Sequence, residues 1–331
     1  MQKQRAQEIV DAFAGRRILV VGDVMLDEYV WGRVSRVSPE APVLVVDADH
    51  HTYVPGGAAN VVNNLCALSA KASIAGLIGK DGAGQTLMEQ LTEEGADVAG
   101  LRTTGARPTT QKTRIIAHSQ QVVRVDHEKR DPINPEERAG LLAYLETAIP
   151  QCEALLLSDY QKGLLGRDLI QKIVEKARAH GKISTGNLKP QGIGGHCRLT
   201  VITLNLSEAS AATGLLLDED SSEGMLREAG RMLLRKSGAE HILITRGAQG
   251  LTLFSADAEP VTVPAHPVAV YDVAGAGDTV ISTLTLALAA GATPSEAVTL
   301  ANCAGAVVVK KVGVATASRD EILAMVATEE A

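Results

Sequence analysis

Short β-branched runs alternate with helical patterns along most of this chain, and that alternation leaves few folds open to it. Arg17–Val21 (RILVV) reads as a buried strand ending at Gly22-Asp23, Ala58–Leu68 as a helix, Ser73–Ile78 as a strand and Gly84–Glu94 as a helix. The rhythm resumes with a strand at Ala154–Ser158, a helix at Arg167–His180 and strands at Lys182–Thr185 and Val201–Leu204. A helix at Glu223–Lys236 then leads to a strand at His241–Thr245, paired with Leu251–Phe254. Helices at Asp278–Ala290 and Pro294–Lys311 close the series. The last has Thr293 as N-cap, Pro294 in the first helical position and Glu296 completing a capping box. Apolar strands alternating with helices argue for an α/β protein with a parallel sheet covered on both faces. The 331 residues suffice for one large domain of this kind or two modest ones.

Two regions break the rhythm. Tyr29–Asp47 and Thr110–Asp126 read as strands without intervening helices, and predict a small antiparallel sheet standing off the main body as a lid or an interface. No internal repeat, low-complexity tract or long linker occurs.

Composition excludes several functions. Aromatics are only 2% of residues, too few for the stacking platforms of single-strand nucleic-acid binding, and the net charge of −7 disfavours a phosphate-backbone partner. The N-terminus lacks the apolar stretch of a signal peptide, and the longest apolar run, near Ile281–Gly291, is too short to cross a bilayer. The four cysteines show no Cys-x-x-Cys spacing and read as reduced thiols, so a cytoplasmic protein is expected.

The usual nucleotide loops are absent: there is no G-x-x-x-x-G-K-[ST], and no G-x-G-x-x-G follows the first strand, which disfavours a dinucleotide-dependent dehydrogenase. What stands out is Asp272-Val-Ala-Gly275-Ala276-Gly277-Asp278-Thr279. Its glycines permit a tight turn and close approach of a ligand to backbone. The turn feeds directly into an apolar helix, whose first N–H groups and dipole suit anionic oxygens. An Asp at that point can accept a hydroxyl proton while those N–H groups hold a transferring phosphoryl. The same residues would also serve as a plain helix cap after a glycine turn.

That segment resembles the C-terminal signature of the ribokinase-like (phosphofructokinase-B type) carbohydrate kinases. A second signature of that family is matched by Gly56-Gly57-Ala58-Ala59-Asn60 followed by Gly79-Lys80-Asp81-Gly82-Ala83-Gly84, and the resemblance runs from about Arg17 to Ser318. Ala274 departs from it, since a Thr is more usual there. The resemblance implies one kinase domain over residues 1–331 with a three-layer α/β/α fold, a mainly parallel central sheet and a small β lid at about 28–53 and 107–127. Within the family, Gly22-Asp23-Val-Met-Leu-Asp27-x-Tyr-x-Trp31-Gly, Ser38-Pro39-Glu40-Ala41-Pro42-Val43 and Ser158-Asp159-Tyr160-x-Lys162-Gly163 are similar to the heptose 7-phosphate kinases of lipopolysaccharide-core synthesis. These phosphorylate the anomeric hydroxyl of D-glycero-D-manno-heptose 7-phosphate. No His-x-Gly-His motif of the adenylyltransferase to which such domains are often fused occurs, so a kinase without that partner domain is expected.

The resemblance also implies residue roles. Asp278 is the catalytic base in the turn formed with Gly275, Ala276 and Gly277. Asp23, Gly56, Gly57 and Asn60 are sugar contacts. Lys112, Arg114, Arg124, Asp159 and Lys162 are candidates for sugar or 7-phosphate; exposed strand cations that blunt a sheet edge would look the same. Asn205-Leu206-Ser207-Glu208 would lie near ATP phosphates, with Glu208 placing Mg²⁺ through water. Lys189 is a phosphate-facing cation, in a loop where Asn187 replaces the usual Asp. Thr245, Arg246, Gly247 and Gly250 follow the nucleotide phosphates, and Asn302 lines adenine, as does Ala265-His266-Pro267. Asp272 belongs to a monovalent-cation site, usually K⁺. ATP and Mg²⁺ are the implied cofactors, and a homodimer through lid residues such as Val43, Val45, Ile115 and Val123 is the implied assembly. Rival expectations are a kinase for ribose or fructose 6-phosphate, and a non-catalytic sugar sensor.

Overall fold

The computed structural model describes residues 1–118, 120–195 and 197–328. Helix α1 (Lys3–Asp11) precedes strand β1 (Arg17–Gly22), and β2 (Val24–Val37) and β3 (Leu44–Gly57) follow as a long hairpin. The chain then alternates through α2 (Ala58–Ala67), β4 (Lys71–Gly79), α3 (Gly82–Glu93) and β5 (Asp97–Thr104), before a second hairpin of β6 (Thr110–Ala117) and β7 (Gln120–His127). Next come α4 (Pro135–Gln151), β8 (Ala154–Ser158), α5 (Arg167–Ala179), β9 (Ile183–Asn187), β10 (Val201–Asn205), α6 (Leu206–Thr213) and α7 (Glu223–Ser237). The chain finishes with β11 (His241–Thr245), β12 (Leu251–Ser255), β13 (Ala258–Val263), α8 (Ala276–Ala289), α9 (Pro294–Val308) and α10 (Arg319–Thr328).

Nine strands form the main sheet in the order β13-β12-β11-β10-β9-β8-β1-β4-β5. All neighbours from β11 to β5 are parallel, and β12 alone is reversed, antiparallel to both β11 and β13. Burial follows the pleat, whose side chains alternate between faces. Ile18 and Val20 of β1 enter one core with α1, α2, α8 and α9, while Leu19 and Val21 enter the other with α4, α5 and α7. Both faces are covered, which is why these strands are apolar without a break. Helix α8 is buried from Asp278 to Leu288. Two of its hydroxyls are satisfied within the helix: Ser282 and Thr285 each donate to the carbonyl one turn back.

The second sheet has the order β3-β2-β6-β7. It was expected to be antiparallel, but its central pair, β2 with β6, is parallel, from Met25↔Thr110 to Gly32↔Ala117. The reason is connectivity: β4, α3 and β5 of the main body lie between the two hairpins, so β6 returns in the same direction as β2. The strand–helix reading held for the elements it named, and the Thr293–Glu296 capping box is present. It missed α1, β5, α4, α6, β13 and α10. Helix α4 carried the same start signal, a capping box of Asn134 and Glu137 with Pro135 behind the cap. Among the described residues no disulfide joins the four cysteines, and no helix is long and apolar enough to cross a membrane.

Candidate active site

Strands β8 to β11 are parallel, so their C-terminal ends share one edge of the sheet, where ligands of such sheets bind. A cleft of about 160 Å³ lies there, lined by residues that include Tyr160, Asn187, Lys189, Asn205, Glu208, Thr245, Gly275, Gly277 and Asp278.

Asp278 lies in the first turn of α8 and is 6% exposed. Its Oδ2 accepts from Asn60 Nδ2 at 2.8 Å and its Oδ1 from the Tyr160 hydroxyl at 2.6 Å. Gly275 makes the first contact possible. It caps α8 at φ +77°, and a Cβ there would stand 2.9 Å from Asn60 Nδ2. Asn60 is itself fixed: Asn64 donates to its side-chain and main-chain oxygens, and Thr279 Oγ1 donates to Asn64 Oδ1 at 2.7 Å. This buried chain of amides and hydroxyls starts and ends on the first turn of α8. Burial pushes the Asp278 carboxyl up to about 6, with the Tyr160 and Asn60 hydrogen bonds and the charge of Lys189 opposing and Asp27 adding to the rise. Asn60 was expected at the sugar; the geometry makes it the support of Asp278.

Asp23, also expected at the sugar, faces elsewhere. Its Oδ2 accepts from the backbone N–H groups of Tyr160 at 2.8 Å and Lys162 at 3.0 Å, and its Oδ1 from that of Leu164 at 3.3 Å. A carboxylate with three amides upon it anchors the 160–164 loop, and so delivers Tyr160 to Asp278. The acid of this segment that reaches toward Asp278 is Asp27, whose charge is felt by both Asp278 and Tyr160. Its Oδ1 accepts from Arg114 at 2.5 Å, and a Cβ on Gly56 would collide with its Oδ2. Gly57, at φ +58°, lets the chain turn into α2 against the Asp23 carbonyl. Sequence reasoning passed over Asp27. The signal was an acid following Val24-Met25-Leu26, three residues buried to 3% exposure or less.

The expected phosphate-gripping cations are gathered, but none lacks an acid. Lys112 pairs with Asp126 at 3.0 Å and stands 3.7 Å from Glu128, Lys162 pairs with Glu128 at 2.6 Å, and Arg124 pairs with Asp126 at 2.8 Å. Arg114, opposite Arg124 in the register of β6 and β7, also lies over the Tyr29 ring at 5.3 Å.

On the other wall of the cleft Lys189 pairs with Glu208 and lies over the Tyr160 ring at 5.4 Å. Asp159 does not line the cleft; it accepts from the backbone N–H groups of Gln161 and Lys189 and so shapes both loops. Asn205 and Glu208 form a reciprocal capping box on α6, at 2.8 and 2.9 Å, with Leu206 and Ser207 in its first turn. Arg246 is turned inward, 6% exposed, toward Thr252 at 3.2 Å. The turn that carries it needs positive φ at Gly247 and Gly250. Asn302 donates to the Pro264 carbonyl at 2.9 Å, tying α9 to the segment after β13. Asp272 spends one oxygen on the Ala274 N–H at 2.9 Å and the other on the Gly313 N–H at 3.1 Å. No group of three or more His, Cys, Asp or Glu residues placed to hold a metal occurs among the described residues.

The chain is thus a mainly parallel α/β protein that carries its cleft at the C-terminal edge of the sheet. It belongs to the pfkB family of carbohydrate kinases, which residues 16–321 match. The chain is 45% identical over 315 residues to the bifunctional protein HldE of Desulfatibacillum aliphaticivorans, covering 95% of this chain and 64% of that protein. It is 41% identical over 314 residues to HldE of Caulobacter vibrioides, with 95% and 64% coverage. The chain therefore spans less than two thirds of the length of these relatives. Among solved structures, Arabidopsis thaliana ribokinase with ribose and ATP superposes at TM-score 0.75 with 18% identity, covering 94% of this chain and 98% of that one. Escherichia coli phosphofructokinase-2 with potassium superposes at TM-score 0.78 with 18% identity, covering 96% and 100%. At that identity these two speak to the fold alone.

Proposed function

We propose that the chain transfers the γ-phosphoryl group of ATP to the anomeric hydroxyl of D-glycero-D-manno-heptose 7-phosphate, giving the 1,7-bisphosphate used in lipopolysaccharide-core synthesis. The observation that carries the kinase chemistry is Asp278: a buried carboxylate, held at both oxygens, on the first turn of a helix beside a lysine-lined cleft. Asp278 takes the hydroxyl proton as the sugar oxygen bonds to the γ-phosphorus, and the bond from that phosphorus to the ADP oxygen breaks. The first-turn N–H groups of α8 and the Lys189 ammonium offset charge on the moving phosphoryl. Asp27 receives sugar hydroxyls, with Gly56 leaving room beside it.

Mg²⁺ would be held through its own waters: Glu208 is the carboxylate on the cleft wall, and with Oε1 on Lys189 and Oε2 on the Asn205 N–H it would reach the cation only by way of the waters that Mg²⁺ keeps. When bound it would neutralise phosphate charge. Asp272 does not fit a cation in this arrangement, because both its oxygens accept backbone N–H groups; no step is assigned to an ion there.

The sugar's 7-phosphate would be met by Lys112, Lys162, Arg124 and Arg114. Their pairing with Asp27, Asp126 and Glu128 favours a second reading, a sugar without that phosphate. A coupled ADP-release assay decides: kcat/KM for heptose 7-phosphate above that for ribose and fructose 6-phosphate supports the first reading, and the reverse order refutes it. The second sheet also exposes Val43, Leu44, Val123 and Val125, which supports a homodimer through that sheet. Light scattering that finds a monomer at micromolar concentration would overturn the dimer.

A further inference from the structure

Tyr160 is the one donor to Asp278 that comes from the loop side of the cleft, and no part of the mechanism above uses it. Its hydroxyl donates to Asp278 Oδ1 at 2.6 Å, its backbone N–H donates to Asp23 Oδ2 at 2.8 Å, and its ring lies 5.4 Å from Lys189 Nζ. Three features of the site therefore converge on one side chain. Asp23, buried and covered by three amides of the same loop, fixes where the loop runs. The ring face meets the cation expected at the phosphates. The hydroxyl meets the base.

The two donors to Asp278 differ in kind. Asn60 is locked from behind by Asn64 and Thr279, on elements of the main core. Tyr160 reaches in from the loop after β8 and lines the cleft. With each carboxylate oxygen holding one donor, each keeps a lone pair, and the plane of the carboxylate is fixed by two contacts from opposite sides.

We propose that Tyr160 is a positioning residue for Asp278, whose hydroxyl keeps the base ionised and aimed at the sugar hydroxyl. The proposal rests on the reading of Asp278 as the base. Burial drives Asp278 toward its neutral form, and a hydrogen bond donated to the charged form opposes that drive. The other charged or titratable groups facing Asp278 are Lys189 from the loop after β9, which favours the ionised form, and Asp27 from β2, which disfavours it. Helix α2 supplies only the neutral Asn60 amide. Without the Tyr160 hydroxyl, Asn60 and Lys189 remain to resist desolvation, and the fraction of ionised base at neutral pH falls. The phenol cannot itself take the proton's place as base, because burial and the neighbouring Asp278 charge hold it protonated far above neutrality.

The test is the pH dependence of kcat/KM from pH 5 to 9, with ATP and heptose 7-phosphate, or fructose 6-phosphate if that is the sugar turned over. The wild-type chain is compared with Tyr160→Phe, with 3-fluorotyrosine incorporated at position 160, and with Asp278→Asn. Phosphate ionisations of the substrates are common to all, so differences between profiles belong to the protein. Tyr160→Phe is expected to raise the acid limb by about one pH unit, from about 6 to about 7, and so to lose roughly 10-fold at pH 5, roughly 2-fold at pH 7 and almost nothing at pH 9. The fluorinated residue, a stronger donor, is expected to lower the limb. A Tyr160→Phe profile that falls equally at every pH, or does not move, overturns the proposal. If Tyr160→Phe does not fold by circular dichroism, the fluorotyrosine protein decides alone, and an unmoved limb in it overturns the proposal. An active Asp278→Asn would instead sink the base assignment itself. An inactive Asp278→Asn with unmoved limbs in both Tyr160 proteins sinks only the role given to Tyr160.

Discussion

Replacing Asp278 by Asn should make the protein more stable at neutral and alkaline pH while removing its activity. The folded carboxyl is pushed up to about 6 from an ordinary 3.8, chiefly by burial. Asp278 therefore binds its proton more tightly in the folded chain than in the unfolded one. That preference favours folding fully below about pH 4, and is lost as pH rises through about 6. The difference of roughly 2.2 units corresponds to about 3 kcal/mol, since one unit is 1.36 kcal/mol. Above pH 7 the ionised, desolvated Asp278 costs the fold about that much. Asn carries no charge to desolvate. Its oxygen can accept from Asn60, whose orientation is fixed by Asn64, and its amide can donate to the Tyr160 oxygen, which rotates freely enough to accept. Urea unfolding of both proteins at pH 4.5, 6 and 8 is the assay. Asp278→Asn should gain little at pH 4.5 and about 1–3 kcal/mol at pH 8, with turnover down by about 10²–10⁴. A variant that is no more stable than wild type at pH 8, or one stabilised equally at all three values, refutes the reasoning.

Three further substitutions separate the site from the scaffold. Gly275→Ala should cost about 1–2 kcal/mol for placing a side chain in the left-handed region, and should cut kcat by displacing Asn60 from Asp278; a Cβ on Gly277 meets nothing within 4 Å, so Gly277→Ala should melt like wild type and raise only KM for ATP, by about 10-fold. A calorimetric scan beside steady-state kinetics checks both, and equal melting of the two variants would contradict the contrast. Glu296→Ala, far from the cleft, removes the partner of Arg5 and of the Thr293 cap, and should cost about 1 kcal/mol without changing kcat. Because those contacts hold the Glu296 carboxyl down to about 2 from 4.5, its contribution is present above about pH 4.5 and fades as pH falls toward 2; a loss in the variant that is larger at pH 3 than at pH 7 would be the wrong sign.

The fold was legible because burial on both sheet faces writes itself into uninterrupted runs such as Ile18–Val21 and Leu155–Leu157. Glycines at 56, 57 and 275 were legible for a similar reason: each sits where a Cβ would strike a neighbour. The missed elements lacked such a constraint. Strand β5, at the edge of the sheet, buries only Gly100 and Leu101 of its eight residues, and so did not read as a buried strand. The parallel β2–β6 pairing could not be read locally either, since it depends on where α3 and β5 place the returning chain.

Charged residues were the harder part, because a sequence shows a charge but not its partner. Asp23 and Asp27 are four residues apart and both buried. What separates them is that three backbone amides of the 160–164 loop close on Asp23, and only Arg114 closes on Asp27. The first is a fastening for the loop; the second, on the proposed function, would exchange one side-chain partner for a sugar hydroxyl. The cations follow the same logic. Lys112, Lys162 and Arg124 looked like three independent grips on a phosphate, yet Asp126 and Glu128 already hold them as one cluster. A phosphate arriving there must compete with those carboxylates, whose own pKa values the cations hold below the usual range. On the reading of a 7-phosphorylated sugar the cluster would discriminate by difference: a dianionic phosphate would recover what the carboxylates give up, and a neutral hydroxyl would not. Arg114→Gln should then weaken kcat/KM for a phosphorylated sugar by about 10-fold or more, and for ribose by much less, because only the phosphorylated sugar loses a charged partner. Equal losses on the two sugars would mean that Arg114 serves Asp27 alone and plays no part in choosing the substrate.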